Sequence, residues 1–158
     1  MADRIVADVA DEHAIRRLIS LYCDAVARLD ADAAAALFAE DAVIRIADYP
    51  ERAGREKIRS GMRRTFAGFD LLHQRCDTGL IDVSGDRANA RMTVFEACRR
   101  TGEDSLGLIF GIYEDTYVKL EEGWRFHRRR YSLQAQVGVP LGSIDLVAGF
   151  APELIFSA

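Results

Sequence analysis

The sequence predicts an α+β fold, with helices first and a curved antiparallel sheet after them. Three observations carry that expectation. Apolar residues recur at three- and four-residue steps up to about residue 66, they alternate with polar ones from about residue 71, and short Gly-containing turns punctuate the alternating part. Helices followed by a run of long strands pack on one face of the sheet they precede.

Residues 1–10 read as a short, loosely ordered leader. A helix is expected from Asp11, a suitable N-cap, with Ile15, Leu18, Ile19, Tyr22, Val26 and Leu29 on one apolar stripe. Asp30-Ala31-Asp32 interrupts it, and Ala33 to Phe38 reads as a second, short helix. Val43 to Ile46 is a short strand, 48–54 a loop, and Arg55 to Phe66 a third helix with Ile58, Met62 and Phe66 at four-residue steps. Strand patterns then cover 71–83, 87–99, 106–120 and 123–136. Ser84-Gly85-Asp86 and Glu121-Glu122-Gly123 are hairpin turns that make these runs consecutive neighbours in a meander. Long strands twist and curl, so the sheet should close on the first helix as a cone with an apolar interior, a concavity that small-molecule sites favour. The tail 137–158 mixes Gly, Pro and apolar residues and is expected to pack on the sheet or on a neighbouring subunit.

A chain of 158 residues fits one domain, 1–158, with a sizeable core. A net charge of -4 gives no electrostatic case for nucleic acid or an anionic membrane. Cys23, Cys76 and Cys98 have no metal-like spacing and read as reduced thiols. The N-terminus has no apolar signal region, so the expected location is the cytoplasm. No cofactor and no metal are expected. The exposed sheet face and the apolar tail point to a homo-oligomer.

Leu71-Leu72-His73-Gln74-Arg75-Cys76-Asp77 opens the first long strand after a turn at Ala67 to Asp70. From there His73 can point into the cone and serve as a general base. A neutral imidazole accepts a proton through one nitrogen only, and a carboxylate facing the other fixes its tautomer. Taken structurally instead, His73 is a strand histidine, tied to backbone or half exposed, and Asp30 or Asp32 caps the second helix.

The element order and local motifs resemble the NTF2-like superfamily and its SnoaL-like group. The motifs are Tyr22 to Asp30 followed by Ala36-Leu37-Phe38-Ala39-Glu40-Asp41-Ala42, then Gly54-Arg55-Glu56-Lys57-Ile58, then Gly123-Trp124-Arg125-Phe126. That fold hosts isomerases, dehydratases, cyclases and binding modules. The branch containing scytalone dehydratase and hexachlorocyclohexane dehydrochlorinase looks similar in pairing an aspartate at the end of the first helix with a histidine where the first long strand begins. The resemblance places these at Asp30 and His73. It adds Tyr22 and Arg129 as electrophilic helpers, and it suggests a trimer or dimer. Its lysine three residues after the tyrosine is Ala25 here, which argues against dehydrochlorination.

The implied function is a cofactor-independent, dehydratase-like lyase acting on a small, mostly apolar cyclic or polyketide-like substrate. The alternatives are an isomerase or cyclase using the same base, or a non-catalytic binding module. Tyr49 and Phe69 are candidate substrate contacts. If Arg129 faces inward it can hold an anionic or carbonyl oxygen, and if outward it is a surface arginine beside Arg128 and Arg130. Tyr113, Asp115 and Tyr117 share one strand face, either a polar addition to the cavity or, the reading preferred here, a face toward a subunit or solvent.

Overall fold

A computed structural model describes residues 2–77 and 79–140, with side-chain environments from Asp8 onward. The elements are α1 (Ala2–Ala27), α2 (Ala31–Ala36), β1 (Phe38–Ile46), β2 (Arg52–Ala53), α3 (Arg55–Phe66), β3 (Phe69–Cys76), β4 (Leu80–Ser84), β5 (Arg87–Arg100), β6 (Ser105–Leu120) and β7 (Gly123–Pro140). They form the expected α+β arrangement: three helices against a curved, unclosed sheet of order β2-β1-β7-β6-β5-β3, with β4 also on β5. The meander is antiparallel, whereas β1 joins β7 in parallel.

Several boundaries differ from the sequence reading. α1 begins at Ala2, so Asp11 is no cap; its carboxylate instead accepts the Trp124 indole N–H at 2.8 Å and pairs with Lys119 at 2.7 Å. The apolar stripe marks where the helix is buried, and its first turns run ahead of that stripe. α2 and β1 start earlier than expected because Asp30 rather than Asp32 caps α2. The run read as one strand over 71–83 is two, β3 and β4, paired to successive parts of β5. The first four residues of the expected tail, 137–140, continue β7 and pair with the start of β6, and the rest of the tail lies outside the described residues.

The stripe of α1 is buried as expected: Ile15, Leu18, Ile19, Tyr22 and Val26 join Ala34, Phe38, Ile58, Met62, Phe66, Met92, Val94, Tyr117, Trp124 and Phe126 in one core. Ala25, 1 % exposed, belongs to the same contact, so a lysine at this position would bury its ammonium. Among the described residues, no helix is long and apolar enough to cross a membrane.

α1 ends with Leu29 in the left-handed region (φ 56°), where its N–H reaches the Val26 carbonyl and the Asp30 N–H reaches Ala25. That turn delivers Asp30 to the start of α2, where Oδ1 accepts the Ala33 N–H at 2.9 Å and Oδ2 pairs with Arg28 at 3.0 Å. Replacing Asp30 by Ala should lower stability by about 1 kcal/mol, as loss of a helix N-cap does. Urea unfolding of Asp30→Ala measures this, and an unchanged midpoint would show that the cap is idle.

Candidate functional site

Strand alternation decides which side chains reach the interior. On β3, Leu72 and Gln74 are buried while His73 and Arg75 are exposed. On β5 the inward series is Met92, Val94, Glu96 and Cys98, and on β6 it includes Tyr113, Asp115 and Tyr117. β7 breaks the simple rule. Tyr117 pairs with Phe126 but Thr116 pairs with Arg128, so His127 is an extra residue in a bulge. The bulge lets Phe126 and Arg129 both face inward although they are three positions apart.

Arg129 is 2 % exposed and lies opposite Asp115 in the β6–β7 register. Its Nε and Nη2 donate to the two Asp115 oxygens at 2.9 and 2.7 Å, a bidentate pair with both side chains out of water. The guanidinium carbon stands 3.9 Å from the Tyr113 ring centre, 4.2 Å from Phe126 and 4.4 Å from Tyr22. Nη1 has no hydrogen-bond partner among the described residues and is left to these ring faces. Burial disfavours the Arg129 cation, but the Asp115 carboxylate outweighs it and holds the guanidinium well above its usual pKa. Tyr117 donates its hydroxyl to Asp115 at 3.0 Å. This end of the interior is filled: Tyr22, Phe38, Tyr117 and Phe126 pack ring against ring around the charge.

A second polar group lies farther along the same strands. The Gln74 amide donates to Glu96 at 2.9 Å and also meets the Tyr113 hydroxyl at 3.1 Å. Glu96 stands between Gln74 and Ile109 in register. Among the described residues, no lysine or arginine pairs with it. Burial raises its pKa above the ordinary carboxylate range, and the Gln74 hydrogen bond offsets only part of that rise. Tyr131 stacks obliquely on Tyr113 at 5.3 Å, and its hydroxyl is pushed up to about 12 by burial and by the charges of Glu96 and Cys98. Glu96, Ile109 and Tyr131 are partly exposed, unlike Arg129 and its rings, so solvent reaches this end of the inner face. A half-buried carboxyl with an elevated pKa, oriented by an amide and flanked by a phenol, can exchange a proton with a bound carbon acid or hydroxyl.

The sequence candidates fall differently from expectation. Asp30 and His73 are not brought together: Asp30 is held by Ala33 and Arg28, and no hydrogen bond joins it to His73. His73 pairs with Ala97 and shares the outer face with Arg75, because a one-residue offset sends a strand side chain to the other side of the sheet. Gln74 takes the inward place. Tyr22 is buried core, with its hydroxyl facing Tyr113 and its pKa raised by burial. Arg129 is inward, but its Nε and Nη2 are committed to Asp115 and its Nη1 faces the surrounding rings. Tyr113, Asp115 and Tyr117 occupy the interior, not a solvent or subunit face. Tyr49 is 66 % exposed. Phe69 is half-buried beneath the Arg100 guanidinium at 4.9 Å.

Gln74 and Glu96 were missed, yet both carry a signal in the sequence. Gln74 shares parity with Leu72 and Cys76 while His73 shares it with Arg75. Glu96 shares parity with Met92, Val94 and Cys98.

A groove of about 540 Å³ opens on the other side of the sheet, lined by residues that include Leu80, Asp82, Asn89, Arg91, Glu114 and Thr116. Asp82, Arg91 and Glu114 on it are exposed, and the one buried carboxylate on its lining, Asp115, is fixed as an ion by Arg129.

The sequence profile of a family described as "SnoaL-like domain" matches residues 7–130. Uncharacterized proteins of Mycobacterium tuberculosis and Mycobacterium bovis are 27 % identical over 129 residues, 78 % of this chain and 86 % of theirs. The crystal structure of a putative scytalone dehydratase from Novosphingobium aromaticivorans superposes with a TM-score of 0.79 at 26 % identity, over 92 % of this chain and all of that one. A hexachlorocyclohexane dehydrochlorinase from Novosphingobium barchaimii gives a TM-score of 0.75 at 18 % identity over 89 % and 97 % of the two chains, a likeness of fold.

Truncating Asp115 to Ala leaves a cation buried with no counter-charge and should destabilise the protein by about 3–5 kcal/mol. Exchanging both partners for apolar residues, Asp115→Leu with Arg129→Met, should recover most of that loss. Urea unfolding of the three variants measures both quantities. A small loss in Asp115→Ala would show that the interior does not depend on the pair.

Proposed function

The chain belongs to the SnoaL-like domain family of the NTF2-like superfamily, and from that premise we propose that it is a cofactor-independent enzyme of the lyase type. Its step is proton transfer on a small, mostly apolar cyclic substrate, and Glu96 is the proton-transfer group. The observation that carries this reading is the half-buried Glu96 carboxyl, raised in pKa by desolvation, held by Gln74 and, among the described residues, left without a cation. Kinship with dehydratase and dehydrochlorinase folds supports the elimination class.

In this reading the Glu96 carboxylate removes a proton from a carbon next to a substrate carbonyl. The Gln74 amide keeps the carboxylate in one orientation, and its own rotamer is fixed by Tyr113. Tyr131 has its hydroxyl proton at neutral pH and offers a donor to the oxygen on which charge develops. Ile109 and Leu72, beside Glu96 and Gln74, supply apolar contact and keep the carboxyl poorly solvated. A proton then passes from the acid so formed to the departing hydroxyl, and the base is restored. Asp30 serves as a cap, and His73 lies outside the reaction.

The test is a panel of cyclic β-hydroxy ketones followed by the absorbance of the enone that dehydration produces. Glu96→Gln should lose at least about a hundredfold in kcat, the lower range for a general base, while His73→Ala retains wild-type turnover. Equal turnover by Glu96→Gln and wild type would sink the assignment. Ligands that bind and are released unchanged by every variant would favour a binding module instead.

The raised pKa also makes a stability prediction with a definite sign. The folded protein holds the Glu96 proton more tightly than the unfolded chain does. The stability tied to that proton is therefore fully present below the unfolded carboxylate pKa and is lost as pH rises through the folded one. Glu96→Gln should match wild type in acid and exceed it at neutral pH, as read by urea midpoints at both. A gap that closes with rising pH would contradict the burial account.

A further inference from the structure

Gly111 stands in the middle of β6, buried, between Ile109 and Tyr113 on the inward face. A glycine inside a strand weakens it, so its presence there calls for a local reason. The backbone supplies none: the glycines with positive φ are Gly54, Gly85, Gly102 and Gly123, and Gly111 is not one of them. Space supplies one. A Cβ at Gly111 would stand 2.5 Å from the Tyr131 hydroxyl oxygen and 2.6 Å from Cζ, well inside van der Waals contact.

Tyr131 lies on β7 opposite Tyr113, and its ring leans diagonally across β6 so that the hydroxyl rests over the Gly111 rung. That rung is one inward step from Ile109, which pairs with Glu96. The lean therefore carries the phenol toward the carboxyl. The β6–β7 register shifts at the same place, between Phe110 and Gly111, where Gln134 is an extra residue of β7. The hydroxyl is also uncommitted. Tyr113 donates to Gln74 and Tyr117 to Asp115, whereas among the described residues no hydrogen-bond partner meets the Tyr131 hydroxyl.

We propose that Gly111 is a positioning residue: its missing side chain is the seat of the Tyr131 ring, and it holds the phenol hydroxyl on the Glu96 side of the inner face as the donor to the substrate oxygen. This rests on the Glu96 reading above and deepens it. A donor to a developing oxyanion works only at hydrogen-bond distance, so the place of the ring matters as much as its chemistry. The atoms that an alanine at 111 would overlap belong to a rigid ring packed on Tyr113, not to the loose end of a flexible chain. The ring would have to turn off the Gly111 rung, and the hydroxyl would leave with it.

The experiment uses the full chain and the same panel of cyclic β-hydroxy ketones. Gly111→Ala and Tyr131→Phe should each lose on the order of a hundredfold in kcat, as removal of one oxyanion donor does, with KM little changed. Tyr131→Ala vacates the seat, so adding Gly111→Ala to it should cost neither further kcat nor urea midpoint, although Gly111→Ala alone costs both. A readout that needs no turnover is carbon-13 NMR of protein labelled at tyrosine Cζ. The Tyr131 signal, identified by its loss in Tyr131→Phe, should titrate at about 12 in the wild type and closer to the ordinary value of 10.0 in Gly111→Ala.

An unmoved Tyr131 signal in Gly111→Ala, or equal midpoint losses in the wild-type and Tyr131→Ala backgrounds, overturns the seat. A moved signal with wild-type kcat overturns the positioning role. Failure of the Glu96 reading shows itself separately, as Glu96→Gln turning over at the wild-type rate. If Gly111→Ala alone does not fold, a folded double variant with Tyr131→Ala supports the seat, and an unfolded one overturns it.

Discussion

A guanidinium with no route to water sits inside this protein, and much of the interior is arranged to tolerate it. Moving such a charge into a low-dielectric core is unfavourable by several kcal/mol unless a counter-ion and polarisable surfaces replace its hydration. Asp115 provides the counter-ion from the adjacent strand, at the register position where two parallel N–H···O bonds form. Tyr22, Tyr113 and Phe126 provide the ring faces, each from a different element: α1, β6 and β7. The bulge at His127 is what turns Arg129 inward after Phe126. Helix, bulge and strand register are therefore coupled through one side chain.

The same arrangement sets Glu96 apart. Asp115 and Glu96 are inward carboxylates of neighbouring strands, but Asp115 has the only buried cation among the described residues. Glu96 is left with an amide as its partner and partial burial as its environment. Two carboxyl groups in one interior thus have different chemical prospects, one fixed as an ion and one able to gain and lose a proton. The division also explains why the filled end of the inner face is structural and why reactivity belongs at the end that solvent reaches.

The helix-to-strand change of period was legible in the sequence, and with it the fold class, α3 and the meander, because burial imposes those periods on long segments. Single side chains were less legible. Reading His73 as inward required a strand parity that Arg75 contradicts, since a charged residue two positions along lies on the same face. The orientation of Arg129 depended on a bulge, and an extra residue in β7 leaves no mark in a sequence where His127, Arg128, Arg129 and Arg130 are all polar. Asp30 was ambiguous in principle: a short carboxylate after a helix end can cap the next helix or reach a cavity, and the local backbone N–H of Ala33 is nearer. Asp11 misled for a related reason, because a buried indole N–H from β7, remote in sequence, satisfied it in place of a helix end.

Glu96 remains the residue that stability alone does not account for. A carboxyl in this position lowers stability once ionised, and Arg129 cannot compensate because Asp115 holds it. Glutamine would keep the contact with Gln74 and avoid the penalty, and an apolar residue would extend the series of Met92, Val94 and Cys98. Departures from the locally stable choice, without an offsetting ion pair, are what proton-transfer sites require, because the energy that raises a pKa is the energy by which the charged form is disfavoured. The physical penalty at Glu96 and the basicity the proposed reaction needs are one quantity, read first as stability and then as reactivity.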